Sequence, residues 1–406
     1  MKECVSYVEG RALAAGAVTP VGTECLPLAE CAGRVLAQNV LAGADVPPFD
    51  RSPYDGYAVR SADAAAARLD CPVTLRVLEE LPAGAVSHRP VTAGGAMKIL
   101  TGAPIPSGAD TVVKYEDTCF TAETVTLFRP VRSGENVVRA GEDAARGDLL
   151  ARRGAIVDAA LVGVLAAQGL SRVTVYRRPR VGLLSTGGEL LEPGEPPAPG
   201  KVYNANRFLL AAALERLGCT PVWLGSAEDD AQAIAGLFLE GLPGCDALIL
   251  TGGVSVGDWD LTPAAMALAG AELLFRRARF KPGMACAYAV LGGKLLCGLS
   301  GNPAAALTNF YAMAVPALGK LRGLENLLPE KLILTLASPF PKPSSMTRLL
   351  RGRLVLSSGR VELEVSEHQG NAVLNSAVGC NAIAVVPAGS GPLAAGTQLD
   401  GFLLSL

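Results

Sequence analysis

The sequence predicts a multidomain α/β plus β protein, and three observations carry that expectation. At 406 residues the chain is longer than one hydrophobic core usually organises. Between residues 179 and 325, short apolar runs alternate with helical patterns, the mark of a parallel α/β sheet. On either side, at 58–140 and 331–406, short β-like runs are broken by glycine and proline. Half of the residues are hydrophobic and 18% are charged, which suits a folded chain rather than a disordered one.

Residues 1–45 read as helical and rich in small side chains, and 47–57 are dense in turn formers. The runs 73–77, 97–100, 111–115 and 125–128 read as strands of a small β-rich domain. Residues 154–170 return to helix: Asp158 is placed to cap its start, Leu161, Val164 and Leu165 share a face, and Gly169 stands at the C′ position. This helix resembles the N-terminal region, so the β-rich part is expected to be inserted into a helical one. The expected division is 1–50 together with 140–178, an inserted domain at 51–139, an α/β domain at 179–327 and a β-barrel or sandwich at 328–406.

Within the α/β region, 181–184, 221–224 and 246–250 suit buried parallel strands. The patterns 208–217, closed by Gly218, and 231–239 suit helices. Thr262-Pro263 and Asn302-Pro303 read as an N-cap followed by proline at the first helical position. In the last segment, Val361, Leu363 and Val365 alternate with Glu362 and Glu364, as in a half-exposed sheet.

Composition excludes several functions. Aromatics are sparse at 5% and the formal net charge is −2, so neither stacking platforms nor a cationic face for nucleic acid is expected. Ten scattered cysteines without a CxxC pair read as reduced thiols of a cytoplasmic protein. No signal peptide or membrane span is read from the sequence. Two histidines, His88 and His368, lack a nucleophile motif beside them. Chemistry must rest on carboxylates, Lys and Arg, hydroxyls and backbone amides, with a hard metal ion as a further option.

The sharpest segment is 250–260, Leu-Thr-Gly-Gly-Val-Ser-Val-Gly-Asp-Trp-Asp, which leaves a buried strand and ends in carboxylates. Glycines such as Gly252 and Gly253 let the backbone approach a bulky ligand, and exposed amides receive anionic oxygens. Carboxylates beside an anion site make sense with a bridging divalent cation. The loop Ser185-Thr186-Gly187-Gly188-Glu189 repeats the pattern after another strand. Leu299-Ser300-Gly301-Asn302-Pro303 opens a helix whose free amides suit an anion, although helix capping by itself explains Asn302 and Pro303. Of the cations at 276–281, Arg277 and Lys281 are the candidates for oxyanion binding, and Arg276 and Arg279 fit a solvated strand edge. Asp229 and Asp230 precede a helix, where capping alone would select them.

Val254-Ser255-Val256-Gly257 with Asp260, together with Asp55-Gly56-Tyr57-Ala58-Val59, resembles the MoeA family of molybdopterin molybdenumtransferases, related to the gephyrin E domain. Leu100-Thr101-Gly102-Ala103, Gly141-Glu142-Asp143, Ser185-Thr186-Gly187, Lys281-Pro282-Gly283, Gly301-Asn302-Pro303 and Gln369-Gly370 follow the same pattern in order along the chain. The resemblance implies an elongated subunit with a three-layer parallel α/β domain of the molybdenum-cofactor type and a C-terminal β-barrel, paired as a homodimer with a cleft shared between subunits. It implies insertion of molybdate into adenylylated molybdopterin, release of AMP, assistance by Mg2+, and transient contact with the adenylyltransferase of the same pathway.

Carried over residue by residue, the resemblance implies catalytic roles for Asp55, Glu189, Asp260 and Lys281. It implies metal ligation by Glu189, Asp260 and Asp229 or Asp230, and substrate binding by Thr101, Asp143, Ser185, Gly252, Gly253, Ser255, Arg277, Gly301, Asn302 and Arg351. The chain departs from the pattern at Arg51-Ser52-Pro53-Tyr54, Gly188, Arg277, Met284, Ser300 and Asn371, which changes the charge expected in the cleft. A tungstate-inserting paralogue, an adenylyltransferase and a noncatalytic pterin-binding or scaffold protein are the competing expectations. The segments flanking the α/β domain argue against the adenylyltransferase.

Overall fold

The computed structural model describes residues 2–254, 261–325, 332–357 and 359–404. The chain divides into two compact units: 1–38 with 153–158 and 172–406, and 39–152 with 159–171.

The smaller unit is built on a six-stranded sheet in the order Thr111–Lys114, Gly56–Val59, Gly95–Ile99, Val73–Leu81, Thr124–Leu127 and Thr118–Phe120. Each β-like run of the sequence is found in it. Tyr57, Leu75, Val113 and Val125 fill one buried cluster, while Ala58, Met97, Ile99 and Val112 fill another. This two-sided burial follows from the alternation of side chains along a strand. Gly56 is required where strands cross closely, since a Cβ there would stand 2.1 Å from the Val113 carbonyl oxygen. The helix Ala159–Ala167 belongs to this unit and ends before Gly169, whose φ of 73° closes it.

In the larger unit the helix Tyr7–Gly16 starts at Ser6, whose hydroxyl accepts from the Glu9 amide. The expected helical character of 1–45 stops there. Thr23–Pro27 is instead a strand paired antiparallel with Arg172–Tyr176. Pro20 and Pro27 cannot continue a helix, and strand pairing with a distant segment supersedes the local pattern.

The α/β sheet comprises β1 (Arg180–Thr186), β2 (Thr220–Ala227), β3 (Ala247–Thr251), β4 (Glu272–Arg276), β5 (Cys286–Leu291) and β6 (Lys294–Leu299), in the order β2-β1-β3-β6-β5-β4. The first four in that order run parallel, and β5 pairs antiparallel with both β6 and β4, so β5 alone is reversed. The sheet is therefore mixed towards one edge, where the sequence pattern predicts a parallel one. Gly292 and Gly293, both at positive φ, make the two-residue turn that folds β6 back beside β5. Helices α1 (Ala205–Arg216), α2 (Ala231–Gly241) and α3 (Leu261–Leu268) follow β1, β2 and β3. After β6 come Pro303–Asn309, a π turn Phe310–Ala314 and Val315–Leu321. One buried cluster includes Val181, Leu183, Leu214, Phe275 and Phe310, and a second includes Leu184, Phe238, Leu248 and Met266. Each helix crossover returns the chain so that β1, β2, β3 and β6 end at one edge.

The last segment pairs Thr347–Ser357 with both Arg360–Val365 and Ala382–Val386, then Gln398–Leu403 and Leu332–Thr335. A bridge from Leu336 to Leu363 joins the outer strands, so the sheet curls back on itself as a small barrel. Among the described residues no helix is long and apolar enough to cross a membrane.

Candidate active site at the carboxyl edge of the α/β sheet

Three loops leave the carboxyl ends of β1, β3 and β6 and wall a cavity of about 690 Å3. Two of them touch closely. A Cβ on Gly252 would fall 2.5 Å from Thr186 Oγ1 and 2.7 Å from its carbonyl oxygen, and Gly252 has φ 101°. Only glycine accepts both the contact and the backbone shape. Gly253 is pinned in the same way, with Thr262 Oγ1 2.7 Å from where its Cβ would be. Thr262 lies inside α3 rather than at its cap. Its hydroxyl donates to the Gly252 carbonyl at 2.9 Å, so the residue expected to start a helix instead holds the glycine loop.

Beneath the cavity Ser185 is 1% exposed, with its hydroxyl 3.2 Å from Thr251 Oγ1 and 3.2 Å from Asn204 Nδ2. It braces the ends of β1 and β3 and is not part of the lining. Asn204 also caps α1, accepting from the Arg207 amide at 3.2 Å. Asn206, within the first turn of α1, donates from Nδ2 to the Gly301 carbonyl at 2.8 Å. That bond fixes its amide orientation and leaves Oδ1 buried without a partner. Thr186 Oγ1 is likewise buried and unpartnered. Both residues line the cavity. A buried polar atom without a hydrogen bond costs about 1–3 kcal/mol, so two in one wall point to groups that a ligand supplies. Sequence reasoning missed Asn204 and Asn206, because the apolar pattern of α1 begins only at Phe208.

Glu189 and Asp229 complete the acidic side of the cavity. Burial, then the negative charge of Glu189, raises the Asp229 carboxyl above its ordinary value. Two carboxylates facing one space are suited to share a hard cation. Asp230 is used differently. Its side chain accepts from the Ala233 amide at 2.8 Å and caps α2, outside the cavity lining. Among the described residues no three His, Cys, Asp or Glu side chains are grouped to hold a metal. Ser255 and Asp260 lie outside the described residues.

On the third wall Gly301 and Asn302 line the cavity beside Asn371. Asn302 holds the N-cap position but makes no side-chain cap bond, and its amide donates to Ser300 Oγ at 3.2 Å. Capping therefore does not account for the asparagine side chain. Lys281 is exposed on the strand Phe280–Lys281, which pairs with Thr347–Ser357, and it does not line the cavity. Arg277, with φ 59°, is outside the lining too, and its amide donates to the Cys286 carbonyl at 2.8 Å. Arg351 is 1% exposed, bonded through Nη1 to Thr308 Oγ1 at 3.2 Å and through Nη2 to Ser376 Oγ at 2.9 Å. Burial lowers its guanidinium from the ordinary value, and its Nε is unpartnered. It too lies outside the lining.

Asp55, Thr101 and Asp143 belong to the smaller unit. Asp55 Oδ1 accepts from the Thr101 amide at 2.7 Å and its hydroxyl at 2.8 Å, which lowers the exposed carboxyl below its ordinary value. Asp143 is exposed, and its amide donates to the Val46 carbonyl at 2.9 Å.

Glycine-loop strand ends around a polar, acid-bearing cavity define an α/β protein with a ligand-sized site outside the carboxyl edge of its sheet. Three family models match in sequence: the MoeA N-terminal region (domain I and II) over residues 5–169, a probable molybdopterin binding domain over 182–320, and the MoeA C-terminal region (domain IV) over 334–404. A molybdopterin molybdenumtransferase of Staphylococcus aureus (strain MSSA476) is 32% identical over 400 residues, covering 98% of this chain and 94% of that one. The Staphylococcus epidermidis protein of the same name (strain ATCC 35984) is 34% identical over 373 residues, 92% of this chain and 89% of its own. The solved molybdopterin biosynthesis MoeA protein of Pyrococcus horikoshii OT3 superposes with a TM-score of 0.86 at 30% identity, covering 99% of this chain and 100% of its own. The chain belongs to the MoeA family of molybdopterin molybdenumtransferases.

Proposed function

We propose that the chain inserts molybdate into adenylylated molybdopterin, placing the metal on the dithiolene sulfurs and hydrolysing the adenylate to release AMP. The cavity at the carboxyl edge carries this reading: two interlocked glycine loops, two orphan oxygens and a carboxylate pair surround a space large enough for a nucleotide-sized ligand. Asn206 Oδ1 requires a donor, which a pterin N–H or a ribose hydroxyl supplies. Asn302 and the Gly301 backbone receive polar groups of the same ligand, and Lys281, Arg277 and Arg351 are our candidates for balancing oxyanion charge.

Glu189 and Asp229 are chemically fit for magnesium, because that ion takes one or two carboxylates and fills its remaining positions with water and phosphate oxygens. When bound, it would neutralise charge on the bridging phosphate. Asp260 and Ser255 join the site in this reading, as do Asp55, Thr101 and Asp143 from the partner copy of a homodimer. We further propose a cytoplasmic location, the four-domain division at 51, 140, 179 and 328, and a transient encounter with the adenylyltransferase that supplies the substrate.

The test is reconstitution with adenylylated molybdopterin, molybdate and magnesium, read as AMP released and as activation of an apo-molybdoenzyme. Glu189→Gln is expected to lose both while still binding substrate. Full activity in that variant, or AMP release that ignores molybdate, overturns the reading, and a preference for tungstate in the same vessel would reassign the oxyanion.

A further inference from the structure

At the opposite edge of the sheet, beside the start of β1, Arg34, Arg177, Arg178 and Arg322 line a recess with Gly33 and Gly218. Arg322 follows the helix Val315–Leu321, and only 8% of it is exposed. Its guanidinium packs on Gly218, where a Cβ would stand 2.9 Å from Nη2 and 3.1 Å from both Cζ and Nε. Gly218, at φ 69°, follows the end of α1, so the loop geometry and the arginine require the same absent side chain. Arg322 makes a long hydrogen bond, 3.4 Å from Nη2 to the Gly33 carbonyl.

The neighbours do not balance this charge. Arg34 is bound to the Glu24 carboxylate and, at 2.8 Å, to the Tyr176 carbonyl. Arg177 grips Asp246 through two bonds of 2.6 and 2.7 Å. Arg178 is exposed, and among the described residues neither it nor Arg322 is paired with a carboxylate. Four guanidinium groups thus stand against two carboxylates, leaving two positive charges. Burial pulls the Arg322 guanidinium down from its ordinary value; Cys219 opposes that, and the charges of Arg178 and Arg34 add to it. A buried cation held by one long carbonyl bond and pressed by like charges is costly unless an anion completes it.

We propose that Arg322 and Arg178 form a binding site for a free tetrahedral oxyanion of the phosphate class, separate from the cavity at the other end of β1. The seven residues of that strand hold the two places roughly 20 Å apart. The recess measures about 10 Å3, room for one water-sized group, so one oxygen seats against Arg322 and the others face Arg178 and solvent. A dianion matches the two unbalanced charges, and the planar fork of arginine suits its oxygens. A nucleotide would have to leave its base and sugar in solvent, which disfavours it.

The experiment is calorimetric titration of the full-length protein with inorganic phosphate, with AMP as a separate titrant. Arg178→Ala, a change on an exposed side chain, is expected to weaken one phosphate-binding event roughly tenfold or more. Arg322→Gln should abolish that event, and Asn206→Ala in the distant cavity should leave it intact. Unchanged phosphate binding in Arg178→Ala overturns the site, even should Arg322→Gln fail to fold. AMP binding that depends on Arg178 and is tighter than that of phosphate overturns the assignment to a free ion.

Discussion

The two edges of the α/β sheet are made from the same strands and have opposite characters. At the carboxyl edge, β1 and β3 run out into Thr-Gly-Gly loops, the charges are acidic and the space is wide. At the amino edge the turns are tight, the charges are arginines and the space takes one small group. The difference teaches how a largely parallel sheet divides labour. Crossovers gather the outgoing loops of β1, β2, β3 and β6 at one edge, where glycine can open it, while the incoming ends are packed against helix termini. Asp246 and Cys219, both at the amino edge, are tied into packing: Asp246 bonds Arg177, and burial pushes the Cys219 thiol up to about 12.

Substitutions can break or sharpen that contrast. The largest effect is expected from Gly252→Ala, whose new methyl group meets Thr186 at 2.5 Å with φ 101°. Thermal unfolding should show a loss of about 2–3 kcal/mol, and the insertion assay should fall to background. An alanine tolerated there would mean the two glycine loops do not interlock.

Glu189→Gln should come next, with turnover lower by about 100-fold or more at unchanged stability, read by AMP release beside a melting curve. The neighbouring pair Asp229 and Asp230 gives a sharper division. Asp230→Ala should cost about 1 kcal/mol through the lost cap of α2 and leave turnover intact. Asp229→Asn should do the reverse. Because its carboxyl is raised, folded protein holds that proton more tightly than unfolded chain, and its contribution turns unfavourable as pH climbs past the ordinary 3.8. Removing the charge should therefore leave the neutral-pH melting temperature equal or slightly higher, with the effect kept small by solvent. Equal turnover in the two variants would erase the distinction.

The smallest effect concerns Asp55. Its carboxyl is lowered by the Thr101 bonds, so their stabilisation is present above pH 3.8 and lost as pH falls through the lower folded value. An NMR titration of Asp55 in wild type and Thr101→Ala, which keeps the backbone amide bond, should show the variant moving part of the way back towards 3.8; identical titrations would discount the hydroxyl bond.

Much of this architecture is legible in local pattern. The β-like runs at 73–77, 97–100, 111–115 and 125–128 fall in strands, the alternation at 361–365 marks another, and α1 stops just before Gly218. Local pattern misleads beyond Gly16, because Thr23–Pro27 is stabilised by pairing with residues 172–176, which no local window contains. The prolines after Thr262 and Asn302 suggest two helix caps. The structure gives Thr262 to the Gly252 carbonyl and leaves Asn302 for the cavity.

From the sequence alone came the strand-end loops, with their hydroxyls, glycines and Glu189, because periodicity and positive-φ glycine are properties of a few consecutive residues. Tertiary structure decided which acid meets which: Asp229 faces Glu189 and Asp230 turns to its own helix. It alone brought Asn206 to Gly301, and Arg34 and Arg178 to Arg322. Those meetings depend on how distant segments pack, and long-range packing leaves no signature in the spacing of neighbouring residues.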